Sequence, residues 1–369
     1  MGGLAPGTDA GHAEGPPPLG RPDRARVFCE KGTSDPGAAR QGWRRARRSV
    51  PPMTRSRKSS SQAAVPLEID HVGVLGFGHM GQALAGRIHA GGFRTLVHDC
   101  NPERLQQVPQ GIGVVSEIAG LACCDVVLTS LPDDAALEAV TRAPGGLFGV
   151  LGRHAVHVAT STVSPALSRR LAASHEALGQ GFVVAAILGN PDMVRESGAF
   201  LLAGGSGRQL QRVDPLLKVL ARQVFQVAED AGMASLVKVA SNALTGATVQ
   251  GMGEILALLG KAGLPRRQAF DILTHTLFDG CVHKTYGGKI LDERFLPAGM
   301  AAPLAVKDLR LALAEAEHWR VPMPLASAVH DRLVALMARG WGDLDWSALG
   351  ALAAADAGLE VGVPSGSGR

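Results

Sequence analysis

Lys238 and Asn242 stand four residues apart in GMASLVKVASNALTGATVQGMGEILALLGKAGLP. On a helix that spacing brings both side chains to one face, among Leu236, Val239, Ala243 and Leu244. Apolar surroundings disfavour an ammonium and bring a lysine pKa toward the working range of a general acid/base. Spacing alone favours the commoner fate of a helical lysine, a solvated surface charge. A second group of residues points to a nucleotide. In VLGFGHMG, Gly76, Gly78 and Gly81 follow the pattern G-x-G-x-x-G behind an apolar run and ahead of QALAGRI. Between a strand and a helix, Gly76 allows the tight turn, Gly78 lets the backbone approach a pyrophosphate and Gly81 lets helix pack on strand. Phe77, His79 and Met80 complete the loop, and the helix N-terminus would face the phosphates. Asp99 follows Gly81 by 18 residues (99 − 81). An acid there accepts a hydrogen bond from a ribose 2′-hydroxyl and repels a 2′-phosphate. Cys100, not an arginine, comes next, so NAD is favoured over NADP. The alternative use of Asp99 is as a cap of the following helix.

These residues need elements to hold them. Residues 69–230 alternate Val/Ile/Leu-rich runs with helical stretches, the pattern of βαβ units around a parallel sheet. Strands are expected at 72–75, 95–98, 125–130, 155–159 and 181–186, with helices starting near Met80, Pro102, Asp133 and Ser164. From Gly232 the strand signal stops and helices follow. The expected fold class is α/β: a Rossmann-type doubly wound domain over 69–230, then a long helix leading into an all-α domain over 231–360. Leu304, Leu309, Leu311 and Leu313 read as core, and Asp345 with Trp346 as the start of the last helix.

Composition bounds the rest. The 369 residues are 46% hydrophobic and 19% charged, enough for two domains with sizeable cores. Apolar runs are broken well short of the roughly 18 residues a membrane-spanning helix needs. Five cysteines without C-x-x-C or Cys/His ligand spacing suggest reduced thiols, with no disulfide framework and no metal site. Residues 1–65 hold 12 Lys+Arg against 5 Asp+Glu, a balance of +7, so with +4 overall the remainder carries −3 (4 − 7). Residues 1–68 read as a disordered basic Gly/Pro/Arg-rich tail, and 361–369 as a flexible one. Arg44, Arg45, Arg47 and Arg48 leave nucleic-acid contact or a transit segment as alternatives, and Met53 as an alternative first residue. The preferred reading has no nucleic-acid or membrane partner and a cytoplasmic location. The mitochondrial matrix is the other compartment weighed.

GFGHMG, LPDD, STVSP, the K-x-x-x-N of Lys238 and Asn242, and Lys307-Asp308-Leu309 occur in the order and spacing of the 3-hydroxyisobutyrate dehydrogenase-like family of β-hydroxyacid dehydrogenases. The chain resembles that family over about residues 70–358. The resemblance implies NAD(P)-dependent oxidation of a 3-hydroxy acid, or reduction of the matching carbonyl compound, by dimers or tetramers built through the helical part. It assigns Lys238 as the catalytic lysine and Asn242 as the residue that positions it and bonds the substrate. Leu131 and Pro132 match the strand-end pair beside the cofactor. Ser161 and Thr162 match the pair facing substrate carboxylate and cofactor, and Lys307 the lysine reaching the nicotinamide end.

One segment departs from that pattern. Many members carry D-A-P-V-S-G-G, whose serine and glycine amides hold the substrate carboxylate. Here the aligned residues are Val184-Ala185-Ala186-Ile187-Leu188-Gly189-Asn190. Gly189 is retained, Leu188 removes the hydroxyl, and Asn190 introduces a side chain into the substrate end. A bulkier or less anionic carbonyl compound, or an imine, fits this segment better than a small hydroxy acid. ILGNPDMV also resembles the corresponding loop of imine reductases, which usually carry Asp or Tyr where this chain has Lys238. Tyr286, in KTYGGKI, is expected either in a loop closing the substrate pocket or beside a turn set by Gly287 and Gly288. A cofactor-binding protein without dehydrogenase activity is the second functional class, and Lys238 with Asn242 favours the enzyme.

Overall fold

The computed structural model describes residues 69–363; the Arg-rich segment, Met53 and residues 364–369 lie outside them. β1 (His71–Leu75) leads through α1 (His79–Ala90) to β2 (Arg94–His98), then α2 (Pro102–Leu105) and β3 (Gly113–Val114). β4 (Val126–Thr129) is followed by α3 (Asp134–Arg142) and α4 (Leu147–Val150), and β5 (Val156–Ala159) by α5 (Pro165–Ala177). β6 (Gly181–Leu188), α6 (Pro191–Arg195), β7 (Phe200–Gly204), α7 (Gly207–Leu220) and β8 (Gln223–Ala228) complete the α/β part. The eight strands form one sheet in the order β3-β2-β1-β4-β5-β6-β7-β8. β1 to β6 run parallel, while β7 pairs antiparallel with β6 and parallel with β8. This is the doubly wound arrangement, whose order reverses between β1 and β4 and opens a crevice at the carboxyl ends of those strands. β4 and β5 are buried at every position, as expected of parallel strands covered on both faces.

The expected strands appear within a few residues of their predicted bounds, and the structure adds β3, β7 and β8. Ser164, not Ser161, caps α5: its hydroxyl accepts from the Leu167 amide at 3.1 Å, with Pro165 in the first turn.

Beneath the sheet a polar chain crosses the core. Gln180 donates to the carbonyls of Phe148 and Leu151, at 3.1 and 2.8 Å, so its Oε1 must accept from His175 Nδ1 at 2.7 Å. His175 Nε2 then accepts from His157 Nδ1 at 2.9 Å, and His157 Nε2 from the Thr129 hydroxyl at 2.9 Å. With both rings uncharged, that amide orientation fixes both imidazole tautomers. Burial pushes His157 well below an ordinary histidine, with the nearby His175 adding to the effect, and pushes His175 down to about 4 against the opposing Gln180 bond.

α8 (Ala231–Lys261) has 31 residues, about 46 Å at 1.5 Å per residue. Against it pack α9 (Arg266–Thr274), α10 (Cys281–Leu291), α11 (Ala302–His318), α12 (Pro324–Ala338) and α13 (Leu349–Asp356). A Cβ on Gly253 would stand 2.6 Å from Gly350 Cα, so α8 and α13 meet backbone to backbone. Asp345 caps a 3-10 turn leading into α13, as anticipated for the last helix. KTYGGKI is a different matter: it lies inside α10, forming neither a loop nor a turn. Gly287 is small there because a Cβ would meet Met252 and Phe270 at 2.8 and 2.9 Å, and Tyr286 packs edge-on against Trp346 at 5.5 Å. Leu309 is core, as expected, whereas Leu304 is 41% exposed on the outer side of α11.

Candidate active site

β1 ends at Leu75, and Gly76 turns the chain with φ +97°, where a Cβ would lie 2.3 Å from the Ser130 carbonyl oxygen. A Cβ on Gly81 would lie 1.9 Å from the Gly76 carbonyl oxygen. Both glycines are required by the fold. Gly78 is not: its φ is −70°, and a Cβ there meets nothing within 4 Å. The space in front of Gly78 is kept free in a loop that opens α1, which is what close approach of a phosphate to backbone requires. Phe77, Gly78, exposed His79, Gln82, Arg104 and Gln107 line a cavity of about 370 Å³. Met80 turns inward onto the sheet core.

Asp99, just past the end of β2, is buried behind the Phe77 loop. Its Oδ2 accepts from the Phe77 amide at 2.6 Å and its Oδ1 from the Asn101 amide at 2.8 Å. Arg104 approaches to 3.3 Å. Burial pushes the carboxyl up, but the two amides and the Arg104 guanidinium outweigh it and hold Asp99 below the usual aspartate value. Asp99 does not cap α2, since Asn101 does so by accepting from the Glu103 amide at 2.9 Å.

A second set of groups meets around α8. Lys238 Nζ donates to Asn242 Oδ1 at 3.1 Å, and Asn242 Nδ2 donates to Asp308 Oδ2 at 2.5 Å. Lys307 stands 3.0 Å from Asp308 Oδ1 and donates to the Thr162 carbonyl at 2.5 Å. The chain therefore runs from Lys238 on α8, through α11, to the loop after β5. Burial lowers the Lys238 pKa to about 8; Asp308 opposes that shift and the Lys307 charge reinforces it. A lysine so placed can take up or release a proton near neutral pH.

The remaining predicted residues surround this chain unequally. Ser161 is buried, and its hydroxyl accepts from the Leu131 amide at 2.7 Å while facing the Thr129 carbonyl at 3.5 Å. It therefore ties the end of β4, with Leu131 and exposed Pro132, to the end of β5. Gly189 has φ +153°, and Asn190 caps α6 by accepting from the Met193 amide at 2.9 Å. Among the described residues no hydrogen bond links Gly189 or Asn190 to Lys238. Leu188 beside them does share an apolar cluster with Val237 and Leu131.

Two residues at these sites were given no role by sequence reasoning. Asp308 lies within the Lys307-Asp308-Leu309 motif, and an acid beside a lysine was the available signal. Arg104 escapes a reading confined to the position after Asp99; the Asn101-Pro102 helix start is the clue, since one turn of α2 brings Arg104 back to Asp99.

Residues 71–228 match the NAD-binding domain of 6-phosphogluconate dehydrogenase. Residues 232–353 match the domain described as NAD-binding of NADP-dependent 3-hydroxyisobutyrate dehydrogenase. The chain is similar to the uncharacterized oxidoreductase YfjR of Bacillus subtilis (strain 168), with 31% identity over 280 residues, 75% of this chain and 98% of the relative. It is 28% identical over 287 residues to L-threonate dehydrogenase of Cupriavidus necator, covering 76% and 94% of the two chains. A crystal structure of 3-hydroxyisobutyrate dehydrogenase from Salmonella typhimurium superposes with a TM-score of 0.70 at 25% identity, over 77% of this chain and 99% of that one. The chain belongs to the 3-hydroxyisobutyrate dehydrogenase-like family of NAD(P)-dependent oxidoreductases.

Proposed function

We propose that the protein interconverts an alcohol, of the 3-hydroxy acid type or related to it, and the matching carbonyl compound, with Lys238 as the general acid/base. The observation that carries this reading is the chain from Lys238 through Asn242 and Asp308 to Lys307, with the lysine pKa lowered to about 8. The nicotinamide, when bound, accepts or supplies the hydride. In oxidation, neutral Lys238 takes the hydroxyl proton as the C–H bond gives up its electron pair. In reduction, the Lys238 ammonium protonates the developing alkoxide. Asn242 aims Lys238 and offers the substrate oxygen a polar neighbour, and Asp308 holds the Asn242 amide in that sense. Lys307 and Thr162 close the cofactor end, and Ser161, Gly189 and Asn190 border the substrate.

The glycine loop from Gly76 to Gly81, with Leu131 and Pro132, is assigned to the nicotinamide dinucleotide. The open space at Gly78 supports the fit. We assign NAD as the preferred coenzyme because Asp99 is ionised and faces the Phe77 loop; Arg104 offsets part of that charge, so the preference is modest. The exposed stripe Leu244, Ile255 and Leu258 on α8 supports a homo-oligomer formed through the helical part. The division into a coenzyme domain over 69–230 and a helical one over 231–360, and a cytoplasmic setting, belong to the same reading. Among the described residues no helix is long and apolar enough to cross a membrane.

The test is Lys238→Ala. This variant should keep NADH binding, measured by fluorescence, and lose roughly 10²- to 10⁴-fold in kcat across a hydroxy-acid and carbonyl panel. Equal turnover in the two proteins removes Lys238 from the mechanism. Nucleotide binding without turnover of any alcohol, carbonyl or imine by the unaltered protein marks a binding protein instead.

A further inference from the structure

Few side-chain donors near Lys238 are left for a substrate carboxylate. The Ser161 oxygen accepts from the Leu131 amide at 2.7 Å, which fixes the hydroxyl at the β4–β5 ends, and its O–H is aimed at the Thr129 carbonyl over 3.5 Å. Asn190 Oδ1 is taken by the Met193 amide, which leaves Nδ2 as the only side-chain donor of the Leu188-Gly189-Asn190 segment. Lys307 is held between the Thr162 carbonyl and Asp308. The charge count leads the same way. Two lysines face one aspartate: in oxidation, where Lys238 is neutral, the Lys307 charge is already matched by Asp308, and in reduction the one remaining cation, the Lys238 ammonium, is committed to the carbonyl oxygen rather than to a carboxylate. A buried carboxylate without a paired cation is strongly disfavoured.

Apolar surface takes the place of those donors. Leu131 after β4, Leu188 at the end of β6 and Val237 on α8 pack on one cluster, against Val184, Ala186 and Ala234. Each leaves part of its side chain accessible. Leu131 is tied to the Lys238 chain through Ser161 and the adjoining Thr162, and Val237 adjoins Lys238 on α8.

We infer that the substrate is an aldehyde or ketone, or the matching alcohol, whose reacting carbon bears a hydrocarbon substituent packed on Leu131, Leu188 and Val237 instead of a carboxylate-bearing one. The inference rests on Lys238 serving as the acid/base of this site. It separates this chain's substrate from the small anionic hydroxy acids that the family name suggests.

The test compares n-hexanal with succinic semialdehyde as substrates for NADH- and NADPH-dependent reduction. The expected result is a kcat/KM at least about tenfold higher for hexanal, since a few methylenes in an apolar pocket suffice for that ratio. Leu188→Ser should narrow the ratio by about tenfold through loss on the hexanal side, and Leu188→Met, which keeps the apolar volume, should preserve it. A preference for succinic semialdehyde in the unaltered protein overturns the inference while leaving Lys238 chemistry standing. If neither compound is reduced, the dehydrogenase reading fails for these probes, and ligand binding decides the substrate question separately. Calorimetric titration of the NADH-bound protein should then show butyramide binding more tightly than butyrate, and the reverse order overturns the inference.

Discussion

The amide of Asn242 donates to Asp308 Oδ2 over 2.5 Å, leaving its carbonyl oxygen to face Lys238 at 3.1 Å. A carboxylate can only accept, so Asp308 fixes which way the amide is turned. Its negative charge also favours the Lys238 ammonium. In Asp308→Asn both effects are lost: the Asn242 amide is free to reverse, and the Lys238 pKa falls. The limb of the kcat profile that reports Lys238 should move to lower pH by about one unit, with a lower plateau. A rate loss at unchanged limb position would show that Asp308 is only structural.

The unaltered protein should show opposite pH dependences in its two directions. Oxidation needs neutral Lys238, so kcat should rise as pH passes upward through about 8. Reduction needs the ammonium and should fall over the same interval. Steady-state rates from pH 6 to 10 check both signs, and parallel profiles would exclude Lys238 as the titrating group.

On the coenzyme assignment proposed above, Asp99 and Arg104, 3.3 Å apart, would act on the 2′ position in opposite directions. The kcat/KM for NADH should exceed that for NADPH by about tenfold, within the range a single charged contact supplies. Arg104→Ala removes the cation that would meet a 2′-phosphate and should widen the ratio, whereas Asp99→Asn should narrow or invert it. An unchanged ratio in both variants would place coenzyme selection elsewhere.

What was legible in the sequence was local. Gly76 and Gly81 could be read from a strand-to-helix turn, Ser164 from the proline that follows it, and the shared face of Lys238 and Asn242 from the pitch of a helix, though their role came only with the family resemblance. Each depends on residues a few positions apart. Asp308 is 66 residues from its Asn242 partner, and no spacing rule reaches that far. Gly287 misled because glycine commonly marks turns, yet here it serves the packing of α10 on Met252 and Phe270. β8 carries exposed residues at Gln223, Phe225 and Gln226, so it lacks the continuous apolar run that identified the central strands. The substrate end was read as a departure from a pattern. Only the structure shows that Ser161 and Asn190 spend their oxygens on backbone amides.

The neutral His157–His175 pair makes the fold acid-sensitive. Its folded-state pKa values lie below the unfolded histidine value of about 6.5, so the unfolded chain binds protons first as pH falls. The stability this pair contributes is complete above about pH 6.5 and falls with pH below that, the His175 share being lost on the way down to about 4. His175 alone accounts for about 3 kcal/mol over that interval. Urea unfolding at pH 7 and pH 4.5 should show this loss, and His175→Phe, less stable at pH 7, should show a much flatter dependence. A loss as large in His175→Phe would assign the acid lability to other groups.

Gly78 and Gly81 separate fold from function within five residues of Gly76. A Cβ at Gly81 would lie 1.9 Å from the Gly76 carbonyl oxygen, so Gly81→Ala must push α1 off β1 and should cost about 3 kcal/mol in unfolding free energy. A Cβ at Gly78 meets open space at an ordinary φ of −70°. Gly78→Ala should therefore leave the protein as stable as before, or raise its stability by about 0.5 kcal/mol through a stiffer unfolded chain. The methyl group would occupy the approach kept for a pyrophosphate, so NADH affinity should fall by about tenfold or more while Tm holds. Loss of affinity without loss of Tm marks a glycine held by its ligand. Unchanged affinity would mean that the dinucleotide does not pass over Gly78, and the assignment of the Phe77–His79 loop to the cofactor would fall with it.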